Sequence, residues 1–234
     1  MSTRVAIITG ASQGIGAGLV SAFRDAGYAV VGTALSMSSA EDSGIVTVAG
    51  DITEPETAQR VIGAALEHFG RIDSLVNNAG IYIGKPFTDY TLEDYTAITT
   101  VNLAGFFHMT QRVLPTMVDQ GSGHIVNIST SLVDNADSSR PSALASLTKG
   151  GLVAATRSLA IEYAARGVRA NAVSLGVIQT PLHDPASYDG LGSLQPLGHV
   201  GDVADVVGGI LYLERATFVT GEVLHIDGGQ AAGR

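Results

Sequence analysis

Short, unbroken apolar runs recur along this chain, separated by longer amphipathic stretches. The runs are RVAIITG, YAVVGTA, IVTVAGD, DSLVNNAG, GHIVNIST, VRANAVS and EVLHIDGG. They do not alternate apolar with polar, so each reads as a strand buried on both faces. The stretches between them carry helical patterns over residues 14–26, 54–70, 92–117, 143–165 and 203–213. In the second pattern, Val61, Ala65, Leu66 and Phe69 form the expected core-facing stripe. Strands joined through helices build a parallel sheet, and right-handed crossovers cover both its faces. The expected fold is therefore α/β, a doubly wound parallel sheet of seven strands.

Nothing divides the chain. No linker, charge block or repeat interrupts its 234 residues, so residues 1–234 read as one domain. Hydrophobic residues make up 45% and charged residues 15%, which supports a packed core rather than disorder. The longest stretch without clear structure, residues 179–198, holds three prolines and three glycines. A loop of that length after the sixth strand is expected to be a substrate lid. The net charge of −9 argues against nucleic acid or an anionic membrane as partner. The absence of cysteine excludes disulfides, thiolate nucleophiles and cysteine-ligated zinc, and no metal site is expected. No apolar run reaches membrane-spanning length, and the first is too short for a signal segment, so a cytoplasmic protein is expected.

The first strand runs into TGASQGIG, with glycines at 10, 14 and 16. Gly10 lets the chain turn, Gly14 permits close approach to a pyrophosphate, and Gly16 lets the following helix pack on the strand. The free N–H groups and positive dipole end of that helix then face the phosphates. No Lys-Ser/Thr follows the glycines, which rules out a Walker loop. The third strand ends in Asp51-Ile52, where the carboxylate is placed to accept from an adenine amino group or to cap the next helix. NNAG, ending the fourth strand, combines small residues with an amide, so backbone can approach a dinucleotide or simply turn.

These motifs occur in order with VNLAG, GHIVNIST, TKGGL, NAVSLGVIQTP and VTGEVLHIDGG. The combination resembles the short-chain dehydrogenase/reductase family, near its β-ketoacyl-carrier-protein-reductase-like branch, over residues 4–229. The resemblance implies a Rossmann fold, bound NAD(H) or NADP(H), and a homotetramer or dimer with the last strand in a subunit interface. It implies cofactor contacts from Gly10, Ser12, Gln13, Gly14, Ile15, Gly16, Asp51, Ile52, Asn78, Ala79, Gly80, Lys149, Ile178 and Thr180. Of the family's catalytic asparagine, serine, tyrosine and lysine, the first maps to Asn102 and the last to Lys149. The serine position holds Thr130, with Ser131 one residue on. The tyrosine position, four residues before the lysine, holds Ala145.

That last departure matters chemically. In carbonyl reduction a proton must arrive as the oxygen gains charge, and the family phenol supplies it beside the lysine ammonium. Ala145 has no proton to give. Loss of a general acid typically slows such a reaction by about 10²–10⁴-fold. Candidate replacements are Ser142, Ser146, Tyr82, Tyr188 and His183, or a water relayed through Lys149. Each also has an ordinary packing or surface reading; Ser142, for example, is placed to cap a helix. Thr130, Leu147-Thr148 and Leu175 also depart from the family pattern, so the chain reads as a divergent subgroup rather than a knockout.

After the second strand, GTALSMSS carries no acid for a ribose 2′-hydroxyl before Glu41 and no base for a 2′-phosphate. Thr33, Ser36 and Ser38 can hydrogen-bond a phosphate, and no carboxylate repels one, which favours NADP(H) over NAD(H). The leading reading is an oxidoreductase of a small carbonyl, alcohol or imine with a non-standard proton donor. The alternatives are a non-redox dinucleotide sensor or scaffold, and a cofactor-assisted lyase or isomerase with Lys149 as base.

Overall fold

The computed structural model describes residues 3–182, 186 and 188–233. Its strands are β1 (Val5–Thr9), β2 (Ala29–Ala34), β3 (Ile45–Ala49), β4 (Ser74–Asn77), β5 (Gly123–Thr130), β6 (Val168–Leu175) and β7 (Val223–Ile226). They form one seven-stranded sheet in the order β3-β2-β1-β4-β5-β6-β7, with every pair parallel. In register, Ile7 lies between Val31 of β2 and Leu75 of β4.

The unbroken apolar runs are explained by a core on each face. Successive side chains of a strand point to opposite sides. Val5 and Ile7 accordingly pack with Val61, Ala65, Met109 and Val113, from α2 (Pro55–Phe69) and α4 (Gly105–Gln120). Ala6 and Ile8 pack with Leu19, Phe23, Ile210 and Leu213, from α1 (Gly14–Asp25) and α7 (Val203–Arg215). Ile7, Ile8, Leu75 and Ile125 are wholly buried, each contributing about 1.5–3 kcal/mol of transfer free energy. One member of the expected α2 stripe departs from it: Leu66 is exposed, and Ile62 is buried in its stead. Ile62 directly follows Val61 and shares its inward arc, whereas Leu66 has turned toward solvent.

The pattern over 92–117 is one helical rod with a defect. α3 (Leu92–Thr99) opens with a capping box, in which Thr91 and Asp94 bond each other's backbone N–H. A π-turn, Thr100–Ala104, then joins α3 to α4. The extra residue in such a turn re-aims a side chain, and here the turn contains Asn102. α5 (Ala143–Tyr163) crosses beside β5 and β6, and a short α6 (Tyr188–Gly192) lies within residues 179–198.

At the edge where the strands begin, a buried polar cluster closes the sheet. Both Glu214 carboxylate oxygens are engaged. One accepts from Arg4 (2.7 Å) and Tyr28 (2.9 Å), and the other from Ser74 and His124 (both 2.7 Å). Burial pushes the His124 imidazole below its usual range, so the ring is neutral, donating through Nδ1 while Nε2 meets the Asn171 amide at 3.0 Å. The opposite edge, where the strands end, is thereby left to the functional site.

Candidate active site

The strand order reverses between β1 and β4, and the loops leaving these two strands part there to open a crevice. The glycine loop lines one side. Gly10 (φ +67°) and Gly14 (φ +53°) hold left-handed backbone that disfavours a side chain. A Cβ on Gly16 would stand 2.0 Å from the Gly10 carbonyl oxygen, so its role is to let α1 pack against the loop. NNAG lines the other side. The Asn78 amide donates to the carbonyls of Thr9 (2.8 Å) and Gly10 (3.3 Å). The Thr9 hydroxyl accepts from the backbone of Asn78 (3.0 Å) and Ala79 (2.9 Å). Asn78 therefore fastens the glycine loop to the end of β4, and Thr9, which sequence reasoning did not single out, completes the clasp.

A cavity of about 670 Å³ runs along this crevice. Gly10, Ser12, Gln13, Gly14 and Ile15 line it, as do Asp51, Ile52, Asn78, Ala79, Gly80, Thr130, Ser131, Lys149, Ile178 and Thr180. Gly16 and Asn102 stand behind the wall. Asp51 is on the wall but does not cap α2: its carboxylate accepts from the Thr53 N–H (2.9 Å), while Glu54 holds the cap position. The chain turns once more after Asp51 before the helix begins, which moves the cap three residues on. Thr33, at the end of β2, also lines the cavity, and its buried hydroxyl has no hydrogen-bond partner among the described residues.

Farther along the cavity, α5 contributes Ala145 and Lys149, one turn apart on one face. The Lys149 ammonium donates to the Ile128 carbonyl (2.8 Å), and burial pushes it down to about 8. Asn102 is held by its neighbours. Its amide oxygen accepts from the Ile81 N–H (2.9 Å), and its nitrogen donates to the Ile81 carbonyl (3.0 Å) and Thr148 hydroxyl (3.2 Å). It thus sets the path of the chain after NNAG from the π-turn.

The two hydroxyls after β5 part company. Ser131 donates to Gln230 (2.9 Å), brought in from the C-terminal tail. Thr130 accepts weakly from the Leu132 N–H (3.4 Å), and its own hydrogen donates to no described residue. Ser131 is therefore occupied where the sequence pairs it with Thr130 as a substrate contact. Gln230 carried no sequence signal, being 99 residues away in the chain.

The proton-donor candidates also separate. Ser142 occupies the residue before α5 but makes no capping bond; it donates to the Arg140 carbonyl (2.7 Å) and meets the Tyr82 hydroxyl at 2.8 Å. Tyr82 overhangs the cavity, as the sequence suggested. Ser146 turns away to the Leu132 carbonyl (3.0 Å), and Tyr188 lies by the Thr180 carbonyl (3.4 Å). His183 lies outside the described residues.

A crevice at the switch point of a doubly wound sheet, walled by a glycine loop, defines an α/β protein of the nucleotide-crevice class. The comparisons narrow the class. A family model described as enoyl-(acyl carrier protein) reductase matches residues 10–231. The 3-oxoacyl-(acyl-carrier-protein) reductase FabG of Vibrio cholerae is 33% identical, covering 97% of this chain and 96% of its own. L-fucose dehydrogenase of Mus musculus is 36% identical, covering 99% and 90%. The solved structure of ElxO with NADP bound matches with a TM-score of 0.91 and 31% identity, covering 100% of both chains. This chain belongs to the short-chain dehydrogenase/reductase family. No helix among the described residues is long and apolar enough to cross a membrane.

Proposed function

We propose that this protein is an NAD(P)-dependent oxidoreductase acting on a small carbonyl, alcohol or imine without the family's tyrosine. What carries the reading is one continuous cavity that joins the glycine loop to Thr130, Ala145 and Lys149. The residues fit a dinucleotide. The orphaned Thr33 hydroxyl suits an adenosine ribose, and the glycine backbone leaves N–H groups at the start of α1 for a pyrophosphate. Asp51 and Ile52 would flank the adenine, and Lys149, Ile178 and Thr180 the nicotinamide end. Thr33, Ala34, Leu35 and Ser36, which line the cavity at the end of β2, carry no carboxylate, which favours NADP(H), the form bound to ElxO.

Bound there, the dinucleotide supplies hydride transfer. The chain's part is to orient the substrate and stabilise charge on its oxygen. The Thr130 hydroxyl donates to no described residue and can donate to the substrate oxygen, and the Lys149 ammonium adds positive charge. Asn102 positions the NNAG turn behind them. Ala145 puts only a methyl group on the wall, so protonation falls to a substrate already protonated, such as an iminium, or to solvent. The 179–198 segment serves as lid through Thr180, Pro181 and Leu182, which line the cavity. Exposed Phe107 on α4 and Leu147 on α5 suit subunit contacts in a cytoplasmic homotetramer or dimer.

The test is a titration with NADPH and NADH, following nicotinamide fluorescence in a protein without tryptophan. A carbonyl and imine turnover panel follows, with Lys149→Ala as control. Failure to bind either nucleotide, reduced or oxidised, sinks the reading. The methyl group at Ala145 favours a second reading, a non-redox dinucleotide sensor or scaffold, which tight binding without turnover would support. Substrate conversion with no net change in NAD(P)H would instead mark a lyase or isomerase.

A further inference from the structure

We propose that Arg140 selects the substrate, and that the substrate is a small carbonyl or imine compound bearing a carboxylate or phosphate-type anionic group. The proposal rests on the oxidoreductase reading of the cavity and names the class of molecule it takes.

Among the described residues, the only cationic side chains lining the cavity are Lys149 and Arg140, and the only carboxylate is Asp51. Lys149 gives one of its three donors to the Ile128 carbonyl and in the proposed reaction serves the reacting oxygen and the nicotinamide end. Asp51 belongs to the far end, beside Gly50 and Ile52 after β3. The half-buried Arg140 guanidinium makes no ion pair or side-chain hydrogen bond among the described residues, although Arg4, Arg24 and Arg71 are all paired with carboxylates. Its backbone is held on both sides: its N–H donates to the Asp137 carbonyl (3.0 Å), and its carbonyl accepts from Ser142 (2.7 Å). Ser142 in turn meets Tyr82 (2.8 Å), which lines the same cavity.

Among the described residues, the cavity wall also includes the uncharged Ile81, Tyr82, Leu132, Ala145 and Leu182. A cation on a held backbone, without a side-chain partner among the described residues, is a ready partner for an anion, and the planar guanidinium matches a carboxylate or phosphate in bidentate fashion. The chain's net charge of −9 repels anions in general, so a local positive site discriminates more sharply. Ala145 also leaves the substrate without a phenol to orient it. An anchor at Arg140 restores orientation from a part of the molecule that does not react.

Three matched ketones test this: phenylglyoxylate, benzoylphosphonate and the neutral phenylglyoxylamide. Each is titrated calorimetrically into the wild type, Arg140→Gln and Arg140→Lys, with and without NADPH. At least one anion should bind wild type about 10- to 100-fold tighter than the amide, the factor carried by a charge-assisted hydrogen bond. The stronger of the two anions identifies the group selected. Arg140→Gln should lose the preference, Arg140→Lys should keep part of it, and all three proteins should bind NADPH alike, showing an intact fold. Equal binding of anion and amide, no binding of any probe, or a preference surviving in Arg140→Gln overturns the proposal. Loss of nucleotide binding by the wild type would instead overturn the oxidoreductase reading, and anion selection is then read on the nucleotide-free protein.

Discussion

Glu214→Gln removes the charge at the centre of the buried cluster and leaves the shape almost unchanged. Burial by itself raises the Glu214 carboxyl, but the hydrogen bonds of His124 and Ser74 and the charge of Arg4 outweigh it and hold the group at about 2, against an ordinary 4.5. At about 1.4 kcal/mol per unit, that difference is worth on the order of 3 kcal/mol of folding stability. The carboxyl is depressed in the folded state, so this stability is fully present above pH 4.5 and is lost as pH falls through 2. Glutamine adds a second penalty. Its NH₂ must face Ser74 and His124 Nδ1, and flipping the imidazole tautomer to accept would turn Nε2–H against the Asn171 amide. Donor then meets donor among buried side chains, so the total is about 3–5 kcal/mol, a large part of the stability of a typical domain. Urea denaturation at pH 7 measures it as a lower midpoint at constant slope. A second series from pH 5 to pH 2 should show the wild type losing stability faster than the variant. A loss below about 1 kcal/mol at pH 7, or identical acid limbs, refutes the reasoning. Nucleotide affinity should be unchanged, because the cluster lies at the opposite edge of the sheet from the cavity.

Ala145→Tyr returns a phenol to the wall one turn before Lys149, and should raise ketone reduction by about 10²–10⁴-fold in a steady-state NAD(P)H assay; an intact variant with no gain would refute the assignment of that position. Lys149 is held by burial at about 8, below its ordinary 10.5, so the folded state releases this proton first and stability should rise with pH between those values. Lys149→Met should remove that slope, and turnover that needs the ammonium should decline above about pH 8 in a pH–rate profile. Gly16→Ala places a methyl 2.0 Å from the Gly10 carbonyl, which must move; a drop of tenfold or more in nucleotide affinity is expected by fluorescence titration, roughly 1.4 kcal/mol.

The sequence alone determined the sheet and the crevice. Runs such as RVAIITG and GHIVNIST are apolar on both faces because both faces are covered, and that property is local. The glycine spacing is equally local, since left-handed backbone and close helix packing each demand a missing side chain at a particular residue. That Ala145 shares a helix face with Lys149 is also legible, because four residues on a helix return to one face. Contacts made across the sheet were not legible. Ser131 reads as a substrate contact, and the sequence does not show that Gln230 arrives from the tail to accept its hydrogen bond. Asn78 reads as a cofactor contact, and the sequence does not show that its amide also clasps Thr9 and Gly10 across the β1–β4 crevice. The π-turn that carries Asn102 has no signature in a pattern that simply looks helical. The sequence does not say whether Arg140 meets a carboxylate; the fold sets it on the cavity wall with no side-chain partner among the described residues. Such pairings depend on where strands far apart in sequence end in space, and only the packed sheet decides that.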